Sequence, residues 1–138
     1  MTEPLRPRHL RVMLVDDHAL VRAAVRQAIT APDVEIVAEA ATAEEALQLA
    51  PQIRPDVLLV DIDLPGMDGV GLVRELAPRL PDTRIVMLTV SSTDRHLLDA
   101  MRYGARGYLT KDLSPEALLR AVRSAYDGEL AMPRRLAA

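Results

Sequence analysis

Short, continuously apolar runs alternate five times with longer amphipathic stretches, and few folds can accommodate that order. RVMLV at 11–15, VEIVAEA at 34–40, DVLLVD at 56–61, RIVMLT at 84–89 and GYLT at 107–110 have strand length and are rich in branched residues. Strands separated by single helices cannot close as hairpins, so right-handed crossovers make them parallel, with helices on both faces. VMLV, VLLV and IVML are apolar at consecutive positions, as strands covered on both sides are, which places them at the centre. The expectation is a doubly wound α/β sheet.

Helix signals fill the gaps. Val21, Ala24, Val25, Ala28 and Ile29 recur at helical spacing, and Thr42 with Glu45 forms a capping box that opens a second helix. Asp68 caps a third carrying Val73, Leu76 and Leu80. Leu97, Leu98 and Met101 mark a fourth that stops at Gly104, and Ser114 with Pro115 opens a fifth that runs to Gly128. Residues 1–10, with prolines and charges but no periodicity, read as a flexible N-terminal tail. The domain then spans 11–128, and 129–138 form a C-terminal tail or truncated linker.

Of the 138 residues 49% are apolar, enough for one domain with its own core. Three tyrosines without Phe or Trp disfavour a base-stacking surface, and a net charge of -3 with both signs interspersed offers no field for a polyanion or a membrane. Without cysteine there is no disulfide, thiolate metal site or thiol nucleophile, which suits a cytoplasmic protein. No apolar stretch approaches the roughly 20 residues of a membrane helix.

In an open parallel sheet, ligands bind beyond the carboxyl ends of the strands. There stand Asp16 and Asp17 after the first run, Asp61 closing the third, Thr89 closing the fourth and Lys111 after the fifth. Singly, each has an ordinary role: an aspartate caps the next helix, a threonine bonds backbone, a lysine is solvated. Together they predict one acidic site, since three converging carboxylates repel unless a hard cation such as Mg²⁺ joins them. With metal and Lys111 offsetting charge, Asp61 can attack a phosphoryl donor in line and become an acyl phosphate. His18 is a poor ligand for such an ion and is assigned to packing or surface. Gly66 and Gly69 suggest a tight turn near the site, with no phosphate-cradling GxxxxGK.

LVDDH at 14–18, LLVDIDLPGMDG at 58–69, MLTV at 87–90 and GARGYLTKD at 104–112 resemble the receiver domain of two-component response regulators, over Arg11 to about Gly128. LVDDHALVR, GYLTKD and the valine after Thr89 are similar to the LuxR or NarL branch. The resemblance implies a flavodoxin-like five-stranded sheet in order 2-1-3-4-5 with five helices. It also implies Asp61 as phosphoacceptor, Thr89 and Lys111 as phosphoryl contacts, and Tyr108 as a switch aromatic coupled to Thr89. The implied metal is Mg²⁺, with Mn²⁺ able to substitute, on Asp16, Asp17, Asp61 and the backbone carbonyl of Asp63. Asp63 and Ser91 would flank the path of attacking water.

The implied partners are a sensor histidine kinase and a second copy on phosphorylation, through a face drawn from Leu97, Leu98, Leu118 and Val122, some of which must instead be core. DNA would be reached through a helix-turn-helix domain absent from this chain, with no direct nucleic-acid or membrane contact. Two rivals are a haloacid-dehalogenase-like phosphatase, because Asp61-Ile62-Asp63 resembles its catalytic pair, and a degenerate receiver acting without phosphorylation. The phosphatase family carries that pair on its first strand, whereas Asp61 follows a complete βαβα unit.

Overall fold

A computed structural model describes residues 9–90 and 95–129. Most of the expected tails at 1–10 and 129–138, together with Ser91, lie outside the described residues. The strands are β1 (Leu10–Val15), β2 (Val34–Ala40), β3 (Val57–Asp61), β4 (Arg84–Thr89) and β5 (Gly107–Thr110). The helices are α1 (Ala19–Ile29), α2 (Ala43–Ile53), α3 (Gly69–Leu76), α4 (His96–Tyr103) and α5 (Pro115–Tyr126). All strand pairs are parallel, in order β2-β1-β3-β4-β5.

Alternate residues of each central strand feed two cores. Met13, Val15, Leu58, Val60, Ile85 and Met87 pack beneath α2, α3 and α4, while Val12, Leu14, Val57, Leu59, Val86 and Leu88 pack beneath α1 and α5. Both faces of β1, β3 and β4 are therefore dry, and that explains the unbroken apolar runs. Each fully buried Leu, Ile or Val contributes about 1.5–3 kcal/mol relative to exposure. Leu97, Leu118 and Val122 belong to these cores, and of the four leucine and valine candidates for a partner face only Leu98 is part-exposed. The four therefore divide as expected into core and surface: the helices use Leu97, Leu118 and Val122 to cover the sheet.

The capping signals form as read. Thr42 accepts from the Glu45 amide at 3.1 Å while the Glu45 carboxylate accepts from the Ala41 amide at 2.8 Å. Asp68 accepts from the Gly71 amide, and Ser114 from the Ala117 amide. Gly104, at φ 123°, ends α4 with its amide on the carbonyls of Ala100 and Met101. Elsewhere the edges shift. α3 ends at Leu76 and tightens into a 3-10 turn over Ala77–Arg79, where Pro78 has no amide to donate to the preceding turn, so buried Leu80 follows the helix. Ala24 is exposed, and α5 stops at Tyr126, two residues before Gly128.

Arg123 of α5 grips Asp33, which precedes β2, with two hydrogen bonds of 2.9 and 2.6 Å. That hydrogen-bonded guanidinium holds the Asp33 carboxyl below its ordinary value of 3.8. A depressed folded-state pKa contributes stability that is present above 3.8 and lost as pH falls through the lower folded value. Asp33→Asn should therefore cost less than about 1 kcal/mol at pH 7, since the pair is solvent-screened. Urea titrations at descending pH should show the gap to wild type closing below 3.8.

Candidate functional site

Four strand ends meet at one edge because β1 lies between β2 and β3, and β4 between β3 and β5. Asp16 follows β1 and is fully buried, Asp61 ends the neighbouring β3 at 1% exposure, and Thr89 ends β4 at 1%. Lys111 follows β5, its amide donating to the Thr89 carbonyl at 2.8 Å. Its Nζ reaches back between the two aspartates, 3.1 Å from Asp16 Oδ2 and 3.2 Å from Asp61 Oδ1. Asp17 stands at the rim with its side chain 30% exposed. The sequence-predicted Asp16, Asp17, Asp61, Thr89 and Lys111 thus share one strand-end site.

Charge is under-compensated there. One ammonium faces three carboxylates, and Asp61 Oδ2 is buried with no hydrogen-bond partner; Asp16 Oδ2 has its ion pair but no well-directed hydrogen bond. Thr83, another buried polar side chain, is satisfied by donating to the Pro55 carbonyl at 2.7 Å. Unsatisfied buried carboxylate oxygens are costly, and these suit a hard divalent cation that takes oxygen ligands. One donor atom from each of Asp16, Asp17, His18 and Asp61 lies within 4.8 Å of the others.

Burial pushes the Asp61 carboxyl above its ordinary value, and the neighbouring Asp16 charge adds to that, against the Asp63 amide and Lys111. Burial also pulls Lys111 down, but its contacts with Asp16 and Asp61 outweigh burial together and leave it raised. The Asp63 amide donates to Asp61 Oδ1 at 3.0 Å, so that oxygen is anchored while Oδ2 has no hydrogen bond. Asp63 itself is exposed.

Tyr108 is part-buried against the α2-α3-α4 core. It pairs with Met87 while Thr110 pairs with Thr89, so Tyr108 and Thr89 share a sheet face as diagonal neighbours. Three further residues support the site, of which Arg22 was not singled out by sequence and Gly69 and His18 were read without these contacts. Gly69 packs so closely that a Cβ would lie 2.3 Å from the Asp61 carbonyl oxygen. Arg22 donates to the Asp16 carbonyl at 2.6 Å and pairs with Glu39 at 3.5 Å. His18, assigned to packing or surface, is largely exposed but turned onto Asp16 and Asp17. Only the turn-forming LPGMDG segment hinted at Gly69; backbone proximity has no local sequence mark.

The family model for the response regulator receiver domain matches residues 12–123. The chain belongs to that family, as a receiver domain of two-component systems. It is 38% identical over 126 residues to the nitrate/nitrite response regulator protein NarL of Escherichia coli, covering 91% of this chain and 58% of that one. It is 39% identical over 130 residues to the DNA-binding transcriptional activator DevR/DosR of Mycobacterium tuberculosis, covering 94% and 60%. The chain thus spans a little over half the length of these relatives. Among solved structures, the signal receiver domain of the response regulator NarL from Mycobacterium tuberculosis superposes with a TM-score of 0.82 at 32% identity, covering 88% and 99%. A LuxR-family two-component response regulator from Aurantimonas gives 0.84 at 36%, covering 94% and 93%. Among the described residues no helix is long and apolar enough to cross a membrane.

Two outcomes follow from the geometry. Gly69→Ala must displace the Asp61 backbone and should cost about 1–3 kcal/mol in urea unfolding. Because the folded pKa of Asp61 is raised, its ionised form opposes folding, a cost absent below 3.8 and complete above the folded value. Asp61→Asn should therefore raise the melting temperature of metal-free protein at pH 7 by on the order of a few degrees. The advantage should shrink in scans taken towards pH 3.8.

Proposed function

We propose that this receiver takes a phosphoryl group from the phosphohistidine of a sensor histidine kinase onto Asp61 and uses the new charge to control transcription. The observation that carries the reading is the buried Asp61 carboxylate, its Oδ2 without a hydrogen bond, beside one ammonium and two further carboxylates. An Asp61 oxygen attacks phosphorus as the bond to the donor's imidazole nitrogen breaks, giving an aspartyl phosphate and a histidine. Lys111 and the Thr89 hydroxyl receive the phosphoryl oxygens. Asp16, Asp17, Asp61 and the Asp63 carbonyl hold Mg²⁺, or Mn²⁺ in its place. When bound, the ion neutralises charge that develops on the transferring group.

Residues 11–128 form the receiver unit in this reading, between the terminal segments 1–10 and 129–138. NarL and DevR/DosR are named as a response regulator and a DNA-binding transcriptional activator. By analogy, DNA contact belongs to a helix-turn-helix domain outside this chain, in the cytoplasm, and phosphorylation favours pairing of two copies. Phosphorylation biases a pre-existing equilibrium, so the phosphoryl group must favour the active arrangement over the resting one. Thr89 moving towards the phosphoryl group vacates space on the face it shares with Tyr108, and the tyrosine turns into it.

Intact-mass spectrometry after incubation with Mg²⁺ and acetyl phosphate should show one hydroxylamine-labile phosphoryl adduct on wild type and none on folded Asp61→Asn. An Asp61→Asn protein labelled at the wild-type rate contradicts the assignment. Asp17→Ala and Asp16→Ala should each weaken Mg²⁺ binding in calorimetry and slow labelling. Thr89→Ala should bind beryllofluoride with Mg²⁺ yet lose most of the wild-type change in amide chemical shifts around Tyr108. An undiminished change at matched occupancy removes the coupling.

A further inference from the structure

Among the described residues, His18 is the one imidazole in this otherwise all-carboxylate set of possible metal donors. Its Nδ1 lies 3.1 Å from Asp17 Oδ1 and 3.3 Å from Asp16 Oδ1. Neighbouring ligands of a tetrahedral zinc ion with bonds of about 2.0–2.1 Å stand roughly 3.3 Å apart. The His18 contacts already match that edge, and the donor atoms of Asp16, Asp17, His18 and Asp61 are mutually within 4.8 Å. Independently, Asp61 Oδ2 is a buried acceptor with no hydrogen bond, in a residue 1% exposed.

Resting on the reading of this cluster as a divalent-metal site, we infer that His18 is a conditional fourth ligand, inactive towards Mg²⁺ but closing a three-carboxylate, one-imidazole shell around Zn²⁺. Mg²⁺ demands oxygen ligands and keeps several waters, so the imidazole gains nothing from it. Zn²⁺ accepts imidazole and carboxylate alike and settles at four ligands. The charges also balance, since Zn²⁺ and the Lys111 ammonium together neutralise three carboxylates.

The functional consequence lies in the coordination number. A zinc ion with four protein ligands has no open position for a phosphoryl donor, whereas hydrated Mg²⁺ exchanges waters for phosphate oxygens. Zn²⁺ therefore competes with Mg²⁺ and blocks labelling of Asp61. His18 is the N-cap residue of α1 but its side chain makes no capping hydrogen bond and is 66% exposed, while its amide and carbonyl contacts to Asp16 and Arg22 are backbone bonds that any residue keeps. Its replacement leaves the fold in place.

The full chain is titrated by calorimetry with Zn²⁺ alone and with Mg²⁺ alone, as wild type, His18→Ala, His18→Gln and the control His9→Ala. Zn²⁺ affinity should fall about tenfold or more in both His18 variants. Mg²⁺ affinity should change by less than about twofold. His9→Ala should match wild type in its tight zinc site. Co²⁺ supplies a spectroscopic reading: intense visible bands of four-coordinate metal in wild type, and weak six-coordinate bands in His18→Ala. Zn²⁺ added at fixed Mg²⁺ and acetyl phosphate should suppress labelling of wild type well before that of His18→Ala. Unchanged zinc affinity and cobalt bands overturn the inference even where Mg²⁺ and labelling behave as proposed. Equal loss of Mg²⁺ and Zn²⁺ affinity also overturns it, because His18 would then only shape the carboxylates. Failure of wild type to bind Mg²⁺ strikes the metal reading beneath it instead.

Discussion

Two aspartates buried at adjacent strand ends, with one lysine between them, are the contact on which the site depends. Burying a carboxylate is expensive unless it is paired and fully hydrogen-bonded, and here pairing is incomplete because Asp61 Oδ2 has no donor. A domain optimised for stability alone would place apolar residues at these positions. Holding the charges together keeps a local cost in reserve, which a divalent cation or a phosphoryl group with its metal can relieve.

The surrounding architecture keeps that cost from being relaxed away. Parallel pairing of β1 with β3 brings Asp16 and Asp61 to one edge, and the dry faces of both strands prevent either end from swinging into solvent. Gly69 presses against the Asp61 carbonyl, Arg22 holds the Asp16 carbonyl, and the Asp63 amide fixes one Asp61 oxygen. Lys111 reaches the pair because β5 follows β4 in the sheet and its amide is tied to Thr89. The rigid sheet places Asp61 and Thr89 at its strand ends, and the short loops after β1 and β5 place Asp16, Asp17 and Lys111 beside them.

Much of this was legible before any coordinates. Unbroken apolar runs mark strands covered on both faces, so four of the five strands lie within one residue of their expected starts and ends and β5 agrees with GYLT, although the 2-1-3-4-5 order came from family resemblance. Thr42, Asp68, Ser114 and Gly104 announced helix ends because capping is local chemistry. Features that depend on distant chain segments were not legible. Which of Leu97, Leu98, Leu118 and Val122 are core was not legible, because periodicity does not distinguish a helix's core side from a second apolar side. The carboxylates were readable because strand ends converge in any doubly wound sheet. The turn of His18 onto two of them depends on a side-chain rotamer, and the need for glycine at 69 on a through-space approach.

The central claim is that the cluster at the sheet edge is short of positive charge and that a divalent cation completes it. Its most direct measurement is the urea unfolding free energy of the wild-type chain at pH 7 as Mg²⁺ is raised through the millimolar range at constant ionic strength. Binding to the folded state alone predicts an unchanged denaturant slope and a free energy that, above the dissociation constant, climbs by about 1.4 kcal/mol for each tenfold rise in Mg²⁺. A free energy that stays flat across that range would contradict it.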